Sequence, residues 1–379
     1  MDLGGLMGTS LPRSMFSCSM AFANEGRIMA QTIKAGLVGV TGYTGMELAR
    51  LMVHHSSMEL VRVTSRSEAG KSLAEIYPFL NRLPLGDLVI TQPDPADLAA
   101  ECDVVFLAVP HKTAMEIAAT LLEEGVKVVD LSADFRLNDK DTYEQWYATE
   151  HTRAGLLSEA VYGLPELYLD QIMGARLIAN PGCYPTSSIL GLAPALARGI
   201  VRSDDIVIDA KSGASGAGRG KSIGTLFCEV HDSFRAYGLP THRHTPEIEQ
   251  EISKIANTPI TVSFNTHLLP VDRGILSTIY TKLTADLSLD EVHAVYTDYY
   301  ADKPLVRVMP KGQLPETRFV RGTVFCDIGL VVDPRTGRLV ILSAIDNLCR
   351  GASGQALMNA NLICGLDIDE GVPMAPMMP

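Results

Sequence analysis

From Ile33 onward the chain alternates short apolar runs with stretches of helical period: "IKAGLVGV" precedes "TGMELARLMVHH", and "MELVRVTS", "DVVFLAVP", "TAMEIAATLLEEG" and "VKVVDLS" follow. Strands apolar on both faces need helices above and below them, so this order specifies a doubly wound parallel sheet. Around Cys183 the texture changes. A helix over 186–198 is followed by "DDIVIDAKSG", "PITVSFNTHLLP", "RGILSTIYTKL", "TVFCDIGLVVD" and "RLVILSAIDN", with helices expected only near 246–256 and 289–300. Strands now dominate at hairpin-like spacing, which predicts a second unit with a mostly antiparallel sheet. The expected class is α/β: a Rossmann-type dinucleotide-binding domain over residues 31–180 and a second α+β domain over 181–349. The last helix, "ASGQALMNANLIC" within 350–365, is expected to pack back on the first domain and complete it.

A chain of 379 residues suits two cores, since single cores stop growing at about 250–300 residues. Its net charge of −12, with no Lys/Arg cluster interleaved with aromatics, speaks against nucleic acid or an anionic membrane as a partner. No stretch reaches the ~18–20 uninterrupted apolar residues of a spanning helix. Seven cysteines, an odd number without a C-x-x-C pair, argue against a disulfide framework or a zinc site and favour a reducing cytoplasm. Residues 1–30 lack periodicity and a basic start before a clean apolar run, and read as a disordered extension rather than a secretory signal.

"GLVGVTGYTGMEL" sets Gly39, Gly42 and Gly45 three residues apart between the first strand and the first helix. Such a turn lets backbone N–H groups approach a pyrophosphate, which then rests on the positive end of the helix dipole. The spacing is G-x-x-G-x-x-G rather than G-x-G-x-x-G, and its position in the opening βαβ unit is what carries the reading. About 20 residues further on, where an NAD site would hold an acidic residue on the ribose, the chain has Ser65-Arg66-Ser67. A guanidinium with two hydroxyls suits a 2′-phosphate, so NADP is the expected cofactor; the competing reading is a solvated surface arginine.

"NPGCYPTSS" puts Cys183 where an apolar strand ends and a helix begins. The dipole and unpaired N–H groups at a helix start favour thiolate, so a lowered pKa and a nucleophilic sulfur are expected. "THRHTPEIEQEISKI" supplies His242 and His244 just before a helix that Thr245 can cap and Pro246 can start. In an extended segment the two rings point the same way, and a nearby helix start keeps imidazole neutral, as a general base requires. His242 stands further from the cap and is slightly favoured as the base. A metal reading of H-x-H lacks a third ligand at a recognisable spacing, and a purely structural pair remains the other alternative. "DAKSGASGAGRGK" is a second glycine-rich turn, with Lys211, Arg219 and Lys221; it reads as an anion site or as a surface loop.

Read together, these blocks resemble the N-acetyl-gamma-glutamyl-phosphate reductase family, within the aspartate-semialdehyde dehydrogenase-like group. "GVTGYTGMEL", "FLAVPH", "DLSADFRL", "YGLPE", "NPGCYPTS", "SGASGAGR", "HRHTPEI", "FCDIGL" and "DNLCRGASGQA" stand in that family's order between about Lys34 and Gly365. The resemblance implies NADPH-dependent reduction of N-acetyl-L-glutamyl 5-phosphate to the 5-semialdehyde and phosphate through a cysteine thioester, in arginine biosynthesis, by a homodimer or homotetramer whose second domain serves catalysis and dimerisation. It implies that Cys183 is the nucleophile and that His242 and His244 supply the acid/base group. Gly39, Thr41, Gly42, Tyr43, Thr44 and Gly45 would hold the pyrophosphate, and Ser65 and Arg66 the adenosine end. Pro110 and Ser132 would lie at sheet ends near the cofactor, with Ser212, Gly213 and Asn347 at the nicotinamide half. Arg136 would meet the substrate carboxylate or form a structural salt bridge. No metal is expected.

Overall fold

A computed structural model describes residues 32–378. The extension expected over residues 1–30 lies outside the described residues. The first sheet contains β1 (Ile33–Val38), β2 (Met58–Thr64), β3 (Ile90–Thr91), β4 (Val104–Leu107), β5 (Lys127–Asp130), β6 (Val161–Tyr162) and β7 (Leu177–Ala179), in the order β3-β2-β1-β4-β5-β7-β6. Every pairing in it is parallel. All of β4 is buried, as a strand covered on both faces must be. The order reverses between β1 and β4, and the glycine-rich turn leaves β1 at that switch point, where ligands bind in open α/β sheets.

The second sheet contains β8 (Val207–Gly213), β9 (Arg235–Tyr237), β10 (Ser263–Leu269), β11 (Ile275–Lys282), β12 (Val306–Val308), β13 (Cys326–Asp333) and β14 (Arg338–Ile345), in the order β12-β13-β14-β11-β8-β10-β9. It is mostly antiparallel, as its sequence predicts; β8 with β10 and β12 with β13 are the parallel pairs. Along β11 burial alternates, so one face meets the core while the other stays wetter. The covering element is the helix Cys183–Ala197, buried almost all round and laid across β11 and β14. Its Ile189, Leu190, Leu192 and Leu196 share a core with Ile208, Ile279 and Ile341. The helix begins three residues earlier than the sequence pattern suggests, so the cysteine lies in its first turn. Pro185 is tolerated there because first-turn N–H groups have no partner inside the helix.

The helix Gly354–Ile363 packs through Ala356, Leu357, Met358, Ala360 and Ile363 into the core of the first sheet. A π-helical turn, Cys349–Ser353, leads into it from β14. These elements carry the chain from the second sheet back beneath the first.

Candidate active site

A cleft of about 1570 Å³ runs between the carboxyl ends of the first sheet and the start of the cysteine helix. That is more than a typical small-molecule pocket of about 300–1,000 Å³, and enough for a dinucleotide beside a second ligand. Gly39, Thr41, Gly42, Tyr43, Thr44, Arg66, Pro110, Arg136, Cys183, His244 and Asn347 all line it.

At the nucleotide end, the helix Tyr43–Met52 starts from Gly42, and no side chain caps it. Its first N–H groups therefore face the cleft without a side-chain partner, the condition under which a helix start takes an anion. A Cβ on Gly42 would meet nothing closer than 3.8 Å, so this glycine keeps the cradle bare rather than relieving a clash. Gly39 and Gly45 act differently. A Cβ on Gly39, at φ +93°, would stand 2.3 Å from the Ala108 carbonyl oxygen, and one on Gly45 would stand 2.4 Å from the Gly39 oxygen. These two permit close backbone packing, and Gly45 is buried behind the turn. Ser65 is buried against Thr41 (Oγ to Oγ1, 3.3 Å), while Arg66 is exposed at the mouth. The residues present thus fit a pyrophosphate with a phosphorylated ribose beyond it.

The second glycine-rich turn closes over the first. Arg219 donates to the Thr41 carbonyl (3.0 Å) and to the Tyr77 hydroxyl (3.1 Å), and its guanidinium lies 5.6 Å from the Tyr77 ring centre. Arg219 and Lys221 line the cleft, whereas Lys211 is held by Asp209 (2.8 Å) outside it. Asn347 reaches the cleft with Ser215, its Nδ2 donating to the serine Oγ (2.9 Å). Ser212 and Gly213 lie behind these two: Ser212 is buried, and a Cβ on Gly213 would stand 2.7 Å from the Asp272 carbonyl oxygen. Ser132 is also buried, donating to Asp130 (2.8 Å) and accepting from the Asp134 N–H (3.1 Å). It braces the loop after β5 from within.

At the other end, Cys183 is the first residue of its helix and keeps partial access to the cleft. The expected low pKa is not found. Crowding by protein atoms raises the thiol to about 11, outweighing the downward pull of the Tyr184 and Cys183 backbone N–H groups and of Arg136. The helix start moderates the cost of ionisation without reversing it, so the resting sulfur is a thiol.

The histidines differ from the extended, same-facing pair read from sequence. His244 is itself the cap residue of the helix Thr245–Ala256, with φ −80° and ψ −10°, and Thr245 is the first helical residue rather than the cap. The backbone turns here, and the His244 N–H donates to His242 Nδ1 (3.1 Å). His242 is enclosed by Tyr184, Tyr237 and Phe264, with ring centres 5.3–5.8 Å away. It does not line the cleft. His244 does, and a Cβ on Gly182 would stand only 2.6 Å from its Nε2. Gly182 is therefore glycine to admit this ring just before the start of the Cys183 helix. The argument that gave His242 a slight preference, freedom to reach across the cleft, does not match this geometry: the aromatic enclosure and the bond from the His244 N–H hold the ring. Burial, then His242, Arg136, His111 and Arg243, push the His244 pKa well below that of a free imidazole, and the ring is neutral.

Arg136 and Glu247 hold this end together. Arg136 is buried, donating to the Asn180 carbonyl from Nε (2.7 Å), to the Leu131 carbonyl from Nη2 (2.9 Å) and to Glu247 from Nη1 (3.4 Å). Glu247 Oε1 accepts the Gly182 N–H (2.8 Å) and the Tyr162 hydroxyl (2.9 Å). The carboxylate thus ties the residue before Cys183 to the first turn of the histidine helix. Glu247, His111 and Arg243 were not singled out from sequence. Glu247 passes for an ordinary acidic first-turn residue; His111 carried a signal in ending the strand-end stretch "FLAVPH". Among the described residues, no group of His, Cys, Asp and Glu is arranged to hold a metal ion.

Residues 34–175 match the family model described as semialdehyde dehydrogenase, NAD binding domain, and residues 183–347 match semialdehyde dehydrogenase, dimerisation domain. Two solved structures share the fold at low identity. Aspartate semialdehyde dehydrogenase II of Vibrio cholerae, complexed with ASA, gives a TM-score of 0.67 at 16% identity, covering 88% of this chain and 99% of that one. Aspartate semialdehyde dehydrogenase of Candida albicans, with NADP, gives 0.67 at 18% identity over the same shares. Much nearer in sequence is the N-acetyl-gamma-glutamyl-phosphate reductase of Desulfotalea psychrophila, 52% identical over 348 residues, which are 92% of this chain and 100% of that protein. The reductase of the same name from Pelotomaculum thermopropionicum is 52% identical over 340 residues, 90% of this chain and 97% of that one. On this identity along nearly the whole of both chains, the protein belongs to the N-acetyl-gamma-glutamyl-phosphate reductase family.

Proposed function

We propose that the chain reduces N-acetyl-L-glutamyl 5-phosphate to N-acetyl-L-glutamate 5-semialdehyde and phosphate with NADPH, in arginine biosynthesis, using Cys183 as nucleophile and His244 as its proton partner. The observation that carries this reading is the single cleft that holds the Cys183 thiol, the His244 ring beside Gly182 and the uncapped helix start after Gly42. A neutral thiol beside a neutral imidazole is activated during attack rather than stored as thiolate. His244 takes the thiol proton as sulfur adds to the acyl carbon; the C–O bond to phosphate breaks, and the proton leaves with the phosphate. A thioester remains on Cys183. NADPH, when bound in the cleft, would supply hydride to that carbonyl. The C–S bond then breaks, and the released sulfur regains its proton from solvent through His244. Glu247 fixes the Gly182 N–H, and Arg136 sets a buried positive charge beside the reacting carbon and its anionic substituents.

Gly39, Thr41, Gly42, Tyr43 and Thr44 line the pyrophosphate cradle, with Gly45 shaping it from behind, and Ser65 and Arg66 address the 2′-phosphate. Asn347 faces the nicotinamide half, backed by Ser212 and Gly213, while Pro110 and Ser132 shape the sheet ends. Residues 31–180 with 350–365 form the nucleotide domain, and 181–349 the catalytic and dimerisation domain. The chain assembles as a homodimer or homotetramer; the match to a dimerisation domain supports this, as do exposed Ile223, Phe227 and Phe234 at 76%, 74% and 60%. Sedimentation velocity distinguishes the two. A reducing cytoplasm suits its free thiols; among the described residues no helix is long and apolar enough to cross a membrane. Function is tested by NADP reduction with N-acetyl-semialdehyde and phosphate. Turnover that Cys183→Ala removes supports the reading; turnover only with an aspartyl substrate overturns it.

A further inference from the structure

His111 has no part in the chemistry above, yet it is built into the same cleft. Ala133 N–H donates to its Nδ1 (2.9 Å), and its ring stands edge-on to Tyr147 with centres 5.3 Å apart. The next residue, Lys112, has φ +78°, a conformation that side-chain-bearing residues rarely adopt. Asp134 holds it there: both carboxylate oxygens accept the Lys112 N–H (2.8 and 3.0 Å), and the same group accepts the Ala114 N–H (3.1 Å) and the Tyr143 hydroxyl (2.8 Å). A strained turn kept in place by a dedicated carboxylate at a cleft is a mark of function. Because Nδ1 accepts from a backbone amide, the neutral ring carries its proton on Nε2. Burial first, then Arg136, Arg243 and Lys112, depress the ring to about 3, so it stays neutral. Among the described residues neither Arg243, which lies 5.5 Å from the Tyr147 ring centre, nor Lys112 has an ion-pair partner, so this rim presents two positive side chains beside a fixed neutral donor.

We propose that His111 donates its Nε2–H to an oxyanion of the bound acyl substrate, its carboxylate or its phosphate, and so determines substrate recognition in the reaction proposed above. The test uses the reverse reaction, with separate KM values for the semialdehyde and for phosphate. His111→Asn keeps an oxygen to accept the Ala133 N–H but places no donor at the Nε2 position; His111→Gln keeps a donor there and loses the brace. If the ring binds the carboxylate, His111→Asn raises the KM for semialdehyde roughly 10- to 100-fold; if it binds phosphate, the KM for phosphate rises by that factor instead. In either case His111→Gln recovers much of the loss, and the Kd for NADP, read by fluorescence titration, stays within about twofold of wild type. Three results overturn the inference: both KM values unchanged in His111→Asn, His111→Gln worse than His111→Asn, or NADP affinity falling in step with the substrate constants. With wild-type turnover intact, such failures sink this inference alone. Absence of wild-type turnover sinks the proposed function and this inference with it.

Discussion

The two ends of the cleft are made by different means. The nucleotide end comes almost whole from one run of backbone, Gly39 to Gly45, whose N–H groups and missing side chains form the cradle. The other end is assembled from side chains at positions 111, 136, 183, 244 and 247, brought together by strand ends of the first sheet and the starts of two helices. Backbone can hold a phosphate common to many ligands, whereas proton transfer and recognition of one acyl group need side chains at set distances. Changes at the side-chain end should therefore alter chemistry with cofactor binding intact, and changes at the nucleotide end should do the reverse.

The largest effect expected is that of Cys183→Ala, which should lower turnover by more than about 10⁴-fold and leave the calorimetric NADP affinity within about twofold of wild type. Comparable losses in both would show that the two ends are not separable. His244→Asn should cost about 10²–10⁴-fold in single-turnover thioester formation, since the proposed mechanism makes His244 the proton partner of the thiol. A thiol raised to about 11 ionises progressively more at every pH below that value. Alkylation of Cys183 by iodoacetamide should therefore climb roughly tenfold per unit from pH 7 to 9 with no plateau; levelling off near neutral pH would restore the stored thiolate. At the nucleotide end, Arg66→Ala should weaken NADP about tenfold more than NAD, in a salt-dependent way because the residue is exposed, with the hydride step unchanged. Equal weakening would make it a positioning residue only. His242→Asn is expected to be mildest. Asparagine can still accept the His244 N–H, so single-turnover rates should fall less than about tenfold; a larger loss would reinstate His242 as an acid/base candidate.

The same contrast explains what could be read from the sequence. Strand and helix order, the glycine turn and the placement of Cys183 are local, written in the period and punctuation of neighbouring residues. The placement of the two histidines was not legible, because it depends on whether the backbone at 242–244 extends or turns and on an aromatic enclosure to which Tyr184 and Phe264 come from segments distant in sequence. The sulfur's acidity failed for a related reason: a helix start is visible in sequence, but the burial that outweighs it is not. Ser132, Ser212 and Gly213 stand beside cleft residues in sequence yet sit behind them in space, a difference that strand alternation and close backbone packing create.

The π-helical turn Cys349–Ser353 has a consequence for the order in which the protein becomes whole. A Cβ on Gly351 would stand 2.6 Å from the Cys183 Cβ, so this turn is the floor beneath that thiol. On the ribosome that floor is made after both sheets have emerged, and at about 5–20 residues per second the stretch from Cys349 to Ile363 takes on the order of one to three seconds to follow. The cleft is therefore completed from beneath by a segment that follows every strand of both sheets in the chain.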